Sequence, residues 1–385
     1  MTASWTRCLA SLSKLYGLGR SGLGLAGLGL AGLAGLAGLA GCDDGGTAAV
    51  TDTGVADTGV ADAGQRPVIN LADLPLPKLS DYGFFQGRLA DERPAPGVVP
   101  YTVIAPLWAD HAEKGRFIFL PEGTVMDTTD PDHWALPVGS IVIKSFSDSA
   151  DLRDPEGTRR LIETRLLIHE DDGWTGHTYL WDAEQTEATR FVPGRHLTRD
   201  FIDAAGQPQS KPYIVPNNNQ CKNCHELDDS VRVLGLATRQ MSLKQQEDLR
   251  AAGVLADLPA PVPLLEDPFG DGPLERRARS YLDANCSHCH RPGGGGGTSG
   301  LVLLAEETRP SAYGICKSPV AAGPGAGGRI HDITPGDPDA SIMIYRMSST
   351  DPEIKMPEIP NLLVDDAGVE LIRTWIAALD PPGCN

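Results

Sequence analysis

With 385 residues the chain is long enough for two or three domains, and a composition 41% hydrophobic and 22% charged is that of a soluble globular protein. The net charge of −18 argues against nucleic acid or an anionic lipid surface as partner and suits a cationic partner or none. The acidity is a property of the body: the first 41 residues hold Arg7, Lys14 and Arg20 and no acid, so without them 33 basic residues less three face 51 acidic ones, or −21.

Those three cations open a leader. Residues 21–41 are an uncharged Gly/Ala/Leu run whose many glycines make a poor membrane-spanning helix. The run closes on Leu39-Ala40-Gly41-Cys42, which resembles the lipobox of bacterial lipoproteins. The resemblance implies cleavage before Cys42, a lipid on its thiol, and a body held at the bacterial cell envelope, in the periplasm or outside the cell. Residues 1–41 are therefore expected to be a signal peptide, with the lipid bilayer a partner through the anchor. Residues 42–66 repeat Thr-Gly-Val-Ala-Asp, lack aromatics and hold too little apolar surface to fold; they read as a flexible acidic tether.

Residues 67–205 read as a β-rich domain. Phe117–Leu120, Ile141–Phe146 and His177–Trp181 are short β-branched or aromatic runs bounded by Pro and Gly. From Leu161 to Ile168 the pattern alternates, placing Ile162, Thr164, Leu166 and Ile168 on one face and Glu163 and Arg165 on the other. Strands at this spacing predict an antiparallel sandwich or barrel. His111, His133, His169, His177 and His196 are scattered through the region, and lone histidines of this kind are ordinarily surface or core side chains.

Residues 206–272 contain Cys221-Lys222-Asn223-Cys224-His225, approached through the turn-rich Pro216–Gln220. Helical spacing follows from Leu243 to Leu255, and the Pro/Leu stretch from Pro259 to Pro273 reads as a linker. In residues 273–385, Leu274, Ala278, Tyr281 and Leu282 predict a helix running into a second motif, Cys286-Ser287-His288-Cys289-His290. Gly293–Gly297 reads as a flexible loop without the Lys-Ser/Thr of a phosphate-binding one. Asp365 or Asp366 can cap a last helix with Val369, Ile372, Trp375, Ile376 and Leu379 on its apolar stripe.

Two Cys-x-x-Cys-His motifs point to covalently bound haem. Each spacing sets two thiols beside the two vinyl groups of one haem, and the histidine that follows can turn onto the iron. Zinc-ribbon cysteine pairs normally stand about 15–20 residues apart and need no such histidine. A thioredoxin-like centre needs a βαβ context that neither motif has. The expectation is two haem c groups, one at Cys221 and Cys224 with His225 on the iron, one at Cys286 and Cys289 with His290. Cys8 leaves with the leader and Cys42 takes lipid. That leaves Cys316 and Cys384, expected to pair in an oxidising compartment.

The sixth iron ligand differs between the motifs. Met356, followed by Pro357, lies 66 residues after His290 and suits the second haem. Met343 and Met347, at i and i+4 in an apolar stretch, read as packing. For the first haem Met241 is only 16 residues after His225, a short reach; a histidine of the β region or an open position are the alternatives.

A helix entering Cys286, Cys289 and His290, then Met356-Pro357, then the helix over 366–379, resembles a class I cytochrome c across residues 274–380. Residues 78–380 more widely resemble a family of bacterial two-haem c-type cytochromes. The resemblance is carried by Lys78–Gly83, Pro137-Val138-Gly139, Ile162–Leu167, Asn217–Cys221, Gly314–Lys317 and Pro335–Pro338. The β region before a haem motif is similar to cytochrome P460-type proteins. These resemblances imply an α+β multidomain chain ending in an all-α cytochrome-like domain, and electron transfer between an envelope dehydrogenase or another cytochrome and an acceptor, with no catalytic residue assigned. Two other functions stay open: a haem enzyme whose open first iron acts on peroxide or a nitrogen oxide, and a ligand-binding β domain fused to a cytochrome.

Overall fold

The computed structural model describes residues 64–384 apart from 321, 359–360 and 381–382. The expected signal peptide, most of the expected tether and Cys42, the expected lipidation site, lie outside the described residues. No helix among the described residues is long and apolar enough to cross a membrane.

The β-rich region is a six-stranded antiparallel meander. A two-residue pair, β1 (Phe85–Gln86) and β2 (Arg93–Pro94), precedes it. The sheet itself runs β3 (Val98–Pro100), β4 (Glu113–Phe119), β5 (Ile141–Ser149), β6 (Arg159–Glu170), β7 (Gly173–Trp181) and β8 (Ala188–Arg190), adjacent in sequence order. It is open at β3 and β8, so the expected sandwich or barrel is replaced by a single sheet covered by other chain segments on both faces.

One face carries Phe117, Phe119, Ile141, Ile143, Leu166, Ile168, Tyr179 and Trp181, which bury Leu79, Tyr82, Phe84 and Phe85 of the preceding segment. Each fully buried side chain of this size contributes about 1.5–3 kcal/mol. The phenols of Tyr82 and Tyr179 meet at 2.7 Å, and Tyr179 donates to the Leu76 carbonyl. The other face is apolar at its two ends. Ile118, Val142 and Leu167 lie under residues 233–255, and Phe146 and Leu180 under the hairpin of β9 (Arg195–Ile202) and β10 (Pro208–Val215).

Three expectations are corrected here. The register shifts between Phe146 and Ser147, so Phe146 opposes Glu163 while Ser147 opposes Leu161. This bulge moves Ile162 out of the Leu166–Ile168 face and into the Tyr213–Val215 cluster, and Leu161 takes its place. The β structure also continues to Val215, ten residues past the expected boundary, because Tyr213 and Val215 have the sheet's second face to cover. Finally, the 259–273 stretch is docked rather than a free linker: the Leu265 amide donates to the Arg239 carbonyl, the Glu266 amide to Ser280 Oγ, and the Leu265 side chain is buried.

Five α-helices follow: α1 (Asn218–His225), α2 (Leu243–Ala251), α3 (Leu274–Cys286), α4 (Ile342–Met347) and α5 (Asp366–Ala377). α2 stops four residues short of Leu255. Asp365 caps α5 by accepting from the Gly368 amide, and it also accepts from the Tyr281 hydroxyl at 3.0 Å. α3 crosses α5 at Gly368, where any Cβ would stand 2.2 Å from that hydroxyl. Tyr281, Leu282, Leu371, Ile372, Trp375 and Ile376 form the core of this module. Between α3 and α4 the chain is loops and short 3₁₀ turns, so the module is loop-rich rather than all-α. Gly293–Gly297 and the prolines that follow break any longer helix. A disulfide joins Cys316 to Cys384.

Candidate functional site

The first motif is helical because of its cap. Asn217 accepts from the Gln220 amide and Gln220 Oε1 accepts from the Asn217 amide, both at 2.9 Å, a reciprocal capping box that starts α1. The helix ends at His225. The chain then turns back through β11 (Glu226–Leu227) and β12 (Ser230–Val231), joined by Asp228 and Asp229, both at positive φ as a two-residue hairpin demands. The hairpin returns Arg232 to His225, and His225 Nδ1 stands 2.8 Å from the Arg232 carbonyl. A carbonyl only accepts, so Nδ1 holds the proton and the Nε2 lone pair is free.

The second motif reaches the same state by another route. α3 ends at Cys286, and the His290 amide donates to the Cys286 carbonyl. His290 Nδ1 lies 3.0 Å from Ser299 Oγ, whose own hydroxyl donates to the Gly296 carbonyl. The serine oxygen therefore accepts from Nδ1, and again Nε2 is free. The glycine run packs on this motif: a Cβ at Gly294 would lie 2.5 Å from the Cys289 carbonyl oxygen, and one at Gly296 3.1 Å from the His290 ring. Burial pushes both imidazoles down to about 4, so both are neutral at pH 7.

The two motifs meet back to back. The ligand atoms of Cys224, His288 and Cys289 lie within 4.8 Å of one another. The single S–H of Cys289 is within reach of the Asn223 carbonyl and of Cys224, and its sharing with Cys224 holds that side chain down, to about 4, and pushes Cys289 up. Burial raises Cys221, and pushes Cys286 up to about 12. None of the four motif cysteines is in a disulfide.

A cavity of about 1010 Å³ opens beside this junction. It is at the upper end of the ~300–1,000 Å³ usual for cofactor and ligand sites. Cys224, Cys286, Cys289 and His290 line it, as do Met343, Met347 and Met356. Trp108 and Asn361 also line it, and Trp108 Nε1 and Asn361 Oδ1 are buried without a hydrogen-bond partner among the described residues. The wall thus leaves one donor and one acceptor for a guest. A haem at the second motif fits this donor set: the Cys286 and Cys289 side chains, the neutral His290 imidazole with Nε2 open, and thioethers on the same cavity, whereas Cys221 and His225 of the first motif do not line it.

Not every expected residue comes to the cavity. Met241 is fully buried in the apolar core with Ile118, Trp134 and Leu249 and does not line it. Neither do His111, His133, His169, His177 and His196. His169 stacks on Trp174 and bonds the Leu136 carbonyl, and His177 meets Thr175. Met343 and Met347 do both jobs, packing on the module's core and lining the cavity.

Two participants were missed in sequence. His288 sat unassigned inside the second motif, and its role depends on α1 arriving beside it. Trp108 comes from the β region; its amide donates to Asn285 Oδ1 at 2.7 Å, fixing that loop to α3. Comparison with family models, with curated proteins and with solved structures finds no match for this chain.

Proposed function

We propose that the chain is a two-haem c-type cytochrome that carries electrons between redox partners of the bacterial envelope, a dehydrogenase or another cytochrome, with Cys42 as its lipid anchor. The observation that carries the reading is the pair of imidazoles, each tied at Nδ1 and free at Nε2, each directly following a Cys-x-x-Cys pair. Haem c supplies a one-electron couple. The chain supplies attachment through Cys221 and Cys224, and through Cys286 and Cys289. It orients His225 and His290, and it encloses the second site with a thioether, Met356, on the wall. The contact of Cys224 with Cys289 favours exchange between the two attachment sites. The order of helix, motif, methionine and terminal helix also supports a cytochrome c-like module over residues 274–380. Met241 in the core favours a first site without methionine, the arrangement that the enzyme alternative requires.

A second reading rests on the same junction. Two thiols and an imidazole within 4.8 Å suit a soft divalent metal such as zinc. The alkaline pyridine spectrum and the metal content of protein made with a c-type maturation system separate the two. The haem reading expects two irons and two haems per chain and no zinc; zinc without haem overturns it.

A further inference from the structure

The middle of the sheet's second face, between its two apolar ends, carries a cluster of basic side chains. Arg116 on β4 opposes Lys144 on β5, Lys144 opposes Arg165 on β6, and Arg165 opposes Thr178 on β7. Directly opposed residues of antiparallel strands share a face, so these four form one row across four strands. Lys114 lies on the same face, two residues from Arg116.

Of the row's cations only Arg165 has a carboxylate partner among the described residues. Glu163 bonds Arg165, and it also accepts from the Tyr213 hydroxyl at 2.7 Å. Among the described residues Arg116 and Lys144 have no carboxylate partner. Arg116 donates to the Lys114 carbonyl, and Lys144 lies 5.2 Å from the Phe146 ring. Burial first, and then the charges of Arg116, Lys114 and Arg165, hold the Lys144 ammonium well below the usual lysine range. Burial pushes Lys114 down to about 7. Thr178, 1% exposed, closes the row with an Oγ1 that has no hydrogen-bond partner among the described residues. Enclosed cations and a hydroxyl left unsatisfied are costly unless an anion completes them. In a chain of net charge −18, four basic side chains, Lys114, Arg116, Lys144 and Arg165, grouped on one sheet face are a local exception.

The first motif sits on this row. A Cβ at Gly176, two residues along β7 from Thr178, would touch Cys221 at 3.7 Å. Lys144 is close enough to Cys224 and His225 to act on the charge of both. From the Cys221 side on β7, the row extends three interstrand spacings, roughly 14 Å, to Arg116 on β4.

We propose that Arg116, Lys144, Arg165 and Thr178 form an oxyanion seat, and that the carboxylates of the haem carried by Cys221 and Cys224 fill it. The proposal rests on the two-haem reading. The same chemistry would accept a small free oxyanion, and the test separates the two sources.

Lys144→Met and Arg116→Gln are made in the full-length holoprotein, and haems per chain are counted first. In resonance Raman spectra the carboxylate bending band of one haem is expected to shift in both variants, while that of the other haem stays unchanged. Calorimetric titration of the wild-type protein with sulfite should then give no saturable heat. Saturable sulfite binding that both variants lose would overturn the haem carboxylates as occupant and assign the seat to a free oxyanion. Variants that keep two haems, with no band shift and no sulfite binding in the wild type, overturn the seat and leave the two-haem reading standing. Wild-type protein without haem overturns that reading, and sulfite calorimetry on it still decides whether the seat binds an anion.

Discussion

The two Cys-x-x-Cys-His motifs are alike in sequence and opposite in surroundings. The first is a capped helix laid on a cationic stripe of the sheet, with Cys221 against Gly176 and Lys144 beside His225. The second ends a core helix and faces a cavity bearing three methionines. A cationic, enclosed setting favours the reduced form of whatever redox group it holds through charge, whereas a thioether does so through ligation. On the two-haem reading, the difference teaches that the motif would fix attachment, while the fold around it fixes the surroundings of each site.

The largest test of that comparison removes attachment. Cys221→Ser with Cys224→Ser, and separately Cys286→Ser with Cys289→Ser, should each halve the haem per chain, read by the pyridine spectrum. If either double change abolishes both haems, the sites are not independent.

Methionine changes sharpen it. Met356→Ala should remove the near-infrared sulfur–iron band and lower the potential of one haem only. Met241→Ala should leave that band intact and cost about 2–5 kcal/mol by denaturant unfolding, as loss of a fully buried methionine does. A band that falls with Met241→Ala would put that residue on the iron and erase the contrast.

Cys316→Ser tests the second site's framework. The bond spans 68 residues of sequence, and losing a native bridge typically costs about 2–5 kcal/mol. The loss should appear as a lower unfolding midpoint accompanied by weaker Met356 ligation, with the first haem's spectrum unchanged.

The smallest effect expected is on the sheet's other face. Burial pushes His177 down to about 4, from 6.5 in the unfolded chain. The unfolded state then binds more protons between these values, so stability is full above pH 6.5 and declines as pH falls toward 4. His177→Gln should flatten that decline, by on the order of 1 kcal/mol once solvent screening of this half-buried ring is allowed for, measured by denaturant midpoints at pH 7 and pH 4.5. An unchanged slope would mean that His177 is not the titrating group.

Much of this was legible in the residues because it is local. The helix into Cys286, the cap of the last helix at Asp365 and the strand segments follow from periodicity and side-chain chemistry within a few positions. The pairing of Cys316 with Cys384 followed from counting. What was not legible depends on register and docking. The bulge at Phe146 reassigns Ile162, and no local pattern marks it. The cationic row exists only because three strand pairings align Arg116, Lys144, Arg165 and Thr178. His288 joins Cys224 only because α1 lands beside the second motif. Met241 was weighed by its distance along the chain from His225, whereas its position is set by the core that closes over Ile118 and Trp134.

The most direct measurement is peptide mass spectrometry of the mature, proteolysed protein. The account predicts one haem on the peptide containing Cys221 and Cys224 and one on the peptide containing Cys286 and Cys289, with Cys316 and Cys384 recovered as a linked pair. Unmodified thiols at either motif, or a Cys224–Cys289 crosslink in place of haem, would contradict it.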